Sequence, residues 1–489
     1  MPNFPRHNDP QGAFSEAVPR PARPGRRTGL KGVPARSDLR PRLLPGVRLP
    51  PWIISVGVLC CLWPKPGARA QQALFSTLSL DAIIQAQQQA ALLAEANTNP
   101  VVNLPPETPQ LGPARWNLGV YSSFTSDNNI YLSPNNTESD LILGNGLNIG
   151  LNWPVTDRSA LQLNSQIGYY AYLQHPDFSY VQISPGSALT WTFTLSDWDF
   201  TFFDQLNYTR SVVAVASVSN LGGIPLLDNT AGARAQWHPG SWLLETGYSY
   251  DYHLATAAEF DYLSFGADYF YARGGWRFSS NGTLGIESSV SLTDYAQPVQ
   301  PNTTSYSVGP YLEWQLDPSL HLSLHGGPTI YDFATTSSGP PQNNLTSYYL
   351  NFDLTHKFNQ FLSEDLNFVR SISPSYYQGS AFTEQLNVGY TVNWQPQPWL
   401  NFDAGLNYQA GQQPLQEFTQ VNIPPFGPVF IPTTVTEHFK LYGINVGVNY
   451  QLTKKINTGL SYTHWTRGSN IAANEYGDDQ VTLQMRYNF

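Results

Sequence analysis

Apolar and polar residues alternate along short stretches from residue 115 to the end of the chain. The last stretch places Val481, Leu483, Met485, Tyr487 and Phe489 in one phase and Thr482, Gln484, Arg486 and Asn488 in the other. Because successive side chains of a strand point to opposite faces, each such stretch predicts a β-strand with one apolar and one polar face. The region from residue 115 onward is therefore predicted to be all-β.

Turn signals divide this region into strands of similar length. Short turns are predicted at 154–159, 196–198, 238–241, 279–282, 317–319, 359–361, 396–398 and 453–455. Longer connections are predicted at 126–139, 174–186, 210–229, 254–262, 296–303, 333–344, 374–380, 411–436 and 467–478. Eight short and nine long connections alternate and join 18 strands, with 16 as the alternative if the weak strands at 230–237 and 362–372 are misread. This arrangement predicts a single antiparallel up-and-down barrel with both ends of the chain on the short-turn side.

The polar face carries Asn, Gln, Ser, Thr and Gly, as in Gln162, Asn164, Gln166 and Gly168. A soluble sandwich would pack this face into a dry core and leave many amide groups without hydrogen bonds. A barrel with lipid outside and water inside accommodates both faces. Beyond the N-terminal region no run of about 18 apolar residues occurs, which excludes an α-helical membrane protein.

Composition also supports a membrane-embedded barrel, since only 12% of residues are charged and 13% are aromatic. Tryptophans flank the short turns, where their indoles would lie at a membrane boundary, at Trp153, Trp198, Trp237, Trp242, Trp394 and Trp399. After position 70 the chain has 13 Lys and Arg against 32 Asp and Glu, a formal charge near −19. Nucleic-acid binding, which requires a basic surface, is excluded.

Residues 1–70 are predicted to be a secretory signal peptide with a long basic N-region, an apolar core at 52–63 and an Ala-Arg-Ala site at 68–70. The only cysteines, Cys60 and Cys61, would leave with it, so the mature chain would have no thiol. Residues 71–114 are predicted to hold a short amphipathic helix at 79–96 and a Pro-rich linker, and residues 115–489 the barrel.

Charged residues on the predicted inward face are the candidate pore-lining set: Arg234, Arg273, Arg277, Glu245, Asp268, Glu287 and Glu313. Opposed rows of Arg and carboxylates would produce a transverse field that shapes ion selectivity. Ion pairs between neighbouring strands, without a role in transport, are the alternative. The aromatic residues Tyr170, Tyr172, Phe203, Tyr311 and Tyr331 also fall on this face, either as stacking surfaces for sugars or as space-filling groups.

The connection at 411–436 contains VNIPPFGPVFIPT at 421–433, which is more apolar than a solvated loop. Proline should prevent this segment from extending the barrel wall. We expect it to fold into the lumen as a constriction formed by Phe426, Val429, Phe430 and Ile431. A contact between subunits of a homo-oligomer is the alternative.

No spacing indicates catalysis or metal binding. His321 and His325 would lie about 13 Å apart on a strand, too far for one zinc ion. We expect no catalytic residue, no metal and no cofactor, and therefore no enzyme.

Two features carry a family resemblance. The segment Ser-Asp-Asn-Asn-Ile-Tyr at 126–131, followed by Ser-Asp-Leu-Ile-Leu at 139–143 and Gly-Leu-Asn-Ile-Gly-Leu-Asn at 146–152, resembles the opening of the outer-membrane β-barrel porins of the second type, a porin-like family of unassigned substrate. The closing strand with Tyr487 and terminal Phe489 is similar to the signal read by the barrel-assembly machinery of Gram-negative bacteria.

The resemblance implies a porin-like barrel embedded in outer-membrane lipid. The expected function is passive diffusion of small hydrophilic solutes. The alternative is a non-transport surface barrel that acts as a scaffold or as an exopolysaccharide-associated protein.

Overall fold

The computed structural model describes residues 110–210, 215–334, 344–378, 380, 382–423 and 427–489. These residues form 18 wall strands: β1 Ala114–Asp127, β2 Asp140–Thr156, β3 Ser159–Tyr172, β4 Tyr180–Ile183 with Ala188–Leu195, β5 Trp198–Thr209, β6 Leu226–Trp237, β7 Trp242–Ala255, β8 Phe265–Ser279, β9 Gly282–Tyr295, β10 Thr303–Asp317, β11 Leu320–Phe333, β12 Leu345–Asn359, β13 Leu362–Ser373, β14 Thr383–Gln397, β15 Leu400–Ile423, β16 Gly427–Gln451, β17 Ile456–Ser469 and β18 Tyr476–Asn488. Both segments of β4 pair with β3, so they form one interrupted strand. A two-residue segment, Gln110–Leu111, pairs with the start of β1.

Every wall strand pairs antiparallel with its neighbours in sequence. The sheet closes where β1 pairs with β18, from Gly119 opposite Asn488 to Asp127 opposite Gln480. The predicted 18-stranded up-and-down barrel is therefore confirmed, and the two weak strands, β6 and β13, are full wall strands. The predicted signal peptide, helix and nearly all of the linker lie outside the described residues.

The eight short turns fall where the sequence predicted them, at one end of the barrel. The other end carries the longer loops, of which L1 (128–139), L2 (173–179), L3 (210–225), L4 (256–264), L7 (374–382) and L9 (470–475) matter below. Short 3-10 helices lie in L2, L4 and L9 at Pro176–Phe178, Ala258–Leu263 and Ala472–Asn474. In outer-membrane barrels the short turns face the periplasm and the loops face outward.

The two faces of the wall differ as the alternation predicted. Apolar side chains on the outside are exposed, for example Ile286 at 65%, Leu406 at 55% and Leu483 at 53%. Tryptophans near the short turns are exposed as well, forming a band at the short-turn end from Trp153, Trp198, Trp242, Trp276, Trp394 and Trp399. This outer surface suits lipid in the middle and the interfacial layer at its edge.

Inward-facing rings cover glycines of the neighbouring strands. A Cβ at Gly275 would stand 2.1 Å from the hydroxyl oxygen of Tyr311, and one at Gly247 would stand 2.2 Å from the Tyr271 ring. The glycines thus make room for rings that lie flat against the wall and stiffen it. Because only 1% of Tyr311 is exposed, its ring fills space and does not offer a sugar-stacking surface.

The Asp-Asn-Asn stretch behind the family resemblance lies at the closing seam. Asn129 Nδ2 donates to the carbonyl oxygens of Ser133 at 2.9 Å and Gly477 at 2.8 Å. The backbone N–H of Asp479 donates to Asn128 Oδ1 at 2.8 Å. These bonds attach L1 to β18, so the motif stabilises the loop end of the seam.

Candidate channel and its constriction

L3 leaves the wall between β5 and β6 and reaches the opposite side of the barrel. The backbone N–H of Ala216 donates to Gln409 Oε1 on β15 at 3.2 Å, and the Ala216 carbonyl accepts from Arg467 Nε on β17 at 2.6 Å. The carbonyl of Ser217 accepts from Gln413 Nε2 at 3.0 Å. L3 therefore crosses the lumen and narrows it.

A buried ion pair fixes the far end of this crossing. Arg467 Nη2 lies 2.9 Å from Glu437 Oε1, and both side chains have no solvent exposure. Glu437 also accepts hydrogen bonds from Gln413, Ser469 and Asn474 at 2.7 to 3.0 Å. Because each charge is paired and hydrogen-bonded, the cost of burying it is offset, and this clamp holds L3 in one position.

Apolar packing supports the clamp. Val218 and Ile224 of L3 are fully buried, and they belong to a cluster with Leu132, Ala216, Leu226, Ala255, Leu263, Phe439, Leu441 and Tyr476. Burying a Val or Ile side chain contributes about 1.5–3 kcal/mol. Gly223 lets the loop return to β6, since its φ is +130° and a Cβ there would stand 2.4 Å from the Arg210 carbonyl oxygen.

Other loops extend the constriction around L3. Ser219 Oγ lies 3.2 Å from the Tyr377 hydroxyl of L7, and Asn220 donates from its backbone to the Leu132 carbonyl of L1 at 3.0 Å. Asn220 Nδ2 donates to the Ala473 carbonyl of L9 at 2.8 Å. L3 is thereby joined to three loops and two wall strands.

A cavity, called the passage below, lies beside L3. It has a volume of about 240 Å³ and is lined by Val215, Ser217, His253, Leu263, Phe265, Tyr295, Ser373, Pro374, Ser375, Tyr376, Gln385, Asn387 and Gln409. These residues come from L3, L4, L7 and the inner wall, so the passage lies at the level of the constriction. None of them is Asp, Glu, Lys or Arg.

A charge network lies on the inner wall across β7 to β11. Arg273 is 3.0 Å from Glu245 and 3.4 Å from Glu313, while His325 is 2.8 Å from Glu287. A second cavity, of only about 20 Å³, adjoins this network and is also lined by Tyr269, Tyr271 and Tyr349. Arg273 therefore forms ion pairs with carboxylates of neighbouring strands on one wall, and the transverse field of opposed rows stays a prediction.

The register places six of the seven candidate pore charges on the inward face: Arg234, Arg273, Arg277, Glu245, Glu287 and Glu313. Arg234 lies 3.5 Å from Thr201 Oγ1, and Arg277 contacts His238. The assignment of Asp268 to the lumen is wrong. It lies two residues before Phe270, which is exposed on the outside at 47%, and it accepts a hydrogen bond from the outward Tyr248 at 2.7 Å.

Replacing Arg234, Arg273 and Arg277 together by Gln should shift the reversal potential in a salt gradient towards cations. The carboxylates of Glu245, Glu287 and Glu313 would then dominate the inner wall. The matched control is Arg370→Gln, because Arg370 stacks over the outward ring of Tyr348 at 3.9 Å and should leave selectivity unchanged. Equal behaviour of the two variants would place the three arginines outside the conduction path.

The proline argument about 411–436 is wrong, because β15 and β16 pair as a long hairpin up to Ile423 opposite Gly427. Pro432 lies opposite Phe418 and Pro428 opposite Asn422 within this ladder. Val429, Phe430 and Ile431 belong to β16, and Phe426 lies outside the described residues. Their role as a constriction stays a prediction, while L3 is the described segment that crosses the lumen.

Sequence reasoning missed Arg467, Glu437 and Gln413. A signal was present in L3 itself, since residues 211–227 read SVVAVASVSNLGGIPLL and are far more apolar than a solvated loop.

An acidic residue and a histidine connect L1 to L2. Asp140 accepts backbone hydrogen bonds from Leu173, Gln174 and His175, and His175 Nδ1 lies 2.8 Å from Asp140 and its Nε2 2.7 Å from Glu138. The hydrogen bond to Asp140, followed by that to Glu138, raises the pKa of His175 above its ordinary value of 6.5. The protonated ring therefore ties the two loops together.

Because this pKa is raised by folding, the His175 contribution to stability should be fully present below about pH 6.5 and lost as pH rises through the raised value. An NMR titration of the imidazole should give a pKa above 6.5 in the folded protein. Glu138→Gln should move this pKa back down, because one hydrogen-bonding carboxylate is removed. A pKa that does not respond to Glu138→Gln would show that the contact is absent in solution.

In the described part of the chain, no helix is long and apolar enough to cross a membrane. Within the same residues, no group of three or more His, Cys, Asp or Glu side chains is placed to hold a metal ion.

No protein-family model and no curated protein matches the chain. Several solved structures are similar to this chain in fold. The outer membrane protein OpdK of Pseudomonas aeruginosa is 10% identical, with 76% of this chain and 99% of that chain covered and a TM-score of 0.40. OpdQ of Pseudomonas aeruginosa is 9% identical, with 78% and 100% covered and a TM-score of 0.42. OccAB3 of Acinetobacter baumannii is 10% identical, with 78% and 100% covered and a TM-score of 0.39.

The wall of this chain closes on itself, so no strand edge is left for lipid to meet. Its outer band is apolar, and its interior is polar and narrowed by an inward loop. A chain with these properties is a closed β-barrel of 18 strands whose outer surface suits lipid.

Proposed function

We propose that the barrel is a channel for the passive diffusion of small hydrophilic solutes across the outer membrane. The observation that carries this proposal is the cavity of about 240 Å³ between L3, L7 and the inner wall. A barrel of 18 strands is wide enough for an aqueous lumen. L3 reduces that lumen to a size that admits small solutes and holds back larger ones.

The lining of the passage supports diffusion of polar molecules. Hydroxyl and amide groups of Ser217, Ser375, Gln385 and Asn387 face it. Such groups replace part of the hydration shell of a solute without binding it tightly, which a diffusion channel requires. The six inward charges lie on the barrel wall outside the lining of the passage, and they are proposed to tune ion selectivity.

The test is single-channel recording of the protein, purified from outer membranes, in planar lipid bilayers. We expect steady conductance steps, together with swelling of liposomes in small neutral solutes. Silence in both assays, with the barrel shown intact by its heat-modifiable mobility in gels, would overturn the proposal. It would favour the alternative of a surface scaffold or an exopolysaccharide-associated barrel.

A further inference from the structure

We propose that the passage beside L3 selects uncharged, polyhydroxylated solutes, that is, neutral sugars. This inference rests on the proposed channel function and names its class of solute. It depends on the chemistry of the 13 residues that line the passage.

One side of the passage is rich in amides. Gln385 and Asn387 lie on β14 and Gln409 lies on β15, all with side chains towards the lumen. An amide offers both a donor and an acceptor, which matches a sugar hydroxyl that can donate and accept at once. The hydroxyls of Ser217, Ser373 and Ser375 add further groups of the same kind.

Asn387 provides the sharpest indication of a ligand. Its Oδ1 is buried and has no hydrogen-bond partner among the described residues. A buried acceptor without a partner carries a free-energy penalty, which a donating hydroxyl in the passage would remove. Asn387 therefore favours a solute that brings hydrogen-bond donors.

The other side of the passage is aromatic. Phe265 stacks on His253 with ring centroids 4.2 Å apart and meets Tyr295 edge to face at 5.6 Å. Tyr376 of L7 lines the same space. Phe265 and Tyr295 are only 4% and 2% exposed, so these rings form an apolar wall and not an open stacking surface. An apolar wall opposite a row of amides suits a sugar, whose C–H face is apolar while its hydroxyl rim is polar.

The absence of formal charge in the lining argues against ionic solutes. A carboxylate or ammonium in the passage would lose hydration and meet no Asp, Glu, Lys or Arg among the lining residues. The lining histidine, His253, is already in contact with Asp228. The cavity volume of about 240 Å³ restricts the passage to small solutes.

The first experiment measures swelling of liposomes that contain the full-length protein, in isosmotic glucose, gluconate and glucosamine. These probes are similar in size and differ in charge. We expect glucose to enter at least severalfold faster than either charged probe. Equal rates, or faster entry of gluconate or glucosamine, would overturn the inference while leaving the channel itself established.

The second experiment uses maltose to block single-channel current. The double variant Gln385→Leu, Asn387→Leu removes two amides at nearly constant volume, and we expect the apparent affinity for maltose to fall about tenfold. The matched control is Gln162→Leu, an inward amide on β3 that does not line the passage. Unchanged maltose block in the double variant would overturn the inference. If the wild-type protein carries no current at all, the proposed function is overturned instead.

Discussion

Replacing residues 215–224 by a short Gly-Ser linker should raise the single-channel conductance severalfold. This segment crosses the lumen, and Val218 and Ile224 are buried in a cluster that includes Leu226 of β6 and Phe439 of β16. Without it the lumen should widen towards the full width of an 18-stranded barrel, which is a water-filled channel. The same variant should admit larger neutral solutes in swelling assays.

The control for this experiment is an equivalent replacement at the tip of L1, residues 135–137, which are exposed. That change should leave the conductance unaltered. A parallel deletion of residues 421–433 tests the second candidate constriction, on the β15–β16 hairpin. If only this deletion raises the conductance, L3 does not set the width of the pore.

A single substitution should give an intermediate effect. Arg467→Met leaves the fully buried Glu437 without its ion-pair partner. It also removes the hydrogen-bond donor to the Ala216 carbonyl. An uncompensated buried charge costs about 3–5 kcal/mol, more than the few hydrogen bonds that remain can offset. L3 should then leave its docked position part of the time, which appears as noisy current with a larger mean conductance.

The strands could be predicted because one local rule determines them. Lipid outside and water inside impose alternation on every wall strand, and the short turns interrupt it, as at Ser196 and Asp317. Even the weak strand β13 pairs with β12 and β14 as a regular wall strand, although its apolar face carries charged residues. Its outward Arg370 is tolerated because it pairs with Glu384 at 3.3 Å and stacks over Tyr348.

The constriction could not be predicted in the same way. Arg467 and Ala216 are 251 positions apart, and no local pattern links them. The clamp depends on which strands face each other across the lumen, a property of the closed barrel and not of any one strand. By contrast, the outward position of Asp268 follows from the sequence, since Asp268 shares the strand face of Phe270 two residues later.

Pro428 and Pro432 lie within a paired strand, and a physical reason explains why proline is tolerated there. Proline removes one backbone donor, so it weakens a ladder that is buried between two neighbours. The hairpin of β15 and β16 rises beyond the ends of the adjacent strands, because β17 pairs with β16 only from Phe439 to Gln451. Its upper part is paired on one side, and proline is tolerated on such an edge.

Deleting Phe489 should strongly lower the yield of protein in the outer membrane and leave aggregates in the periplasm. Its backbone N–H donates to the Leu118 carbonyl on β1 at 2.9 Å, so the last residue contributes to the closing seam. Its ring is 53% exposed on the outside and meets Tyr487 edge to face at 5.2 Å. The residue thus combines a seam bond with an exposed aromatic surface that an assembly factor can bind.

Two variants separate these roles. Phe489→Ala keeps the backbone bond to Leu118 but removes the ring, and Phe489→Tyr keeps both. If the barrel-assembly machinery reads the ring, Phe489→Ala should be nearly as defective as the deletion, and Phe489→Tyr should assemble normally. If the seam bond matters more, Phe489→Ala should assemble like the wild type, because the bond that closes β1 onto β18 is still present. Normal yield from the deletion itself would show that neither role is required for assembly.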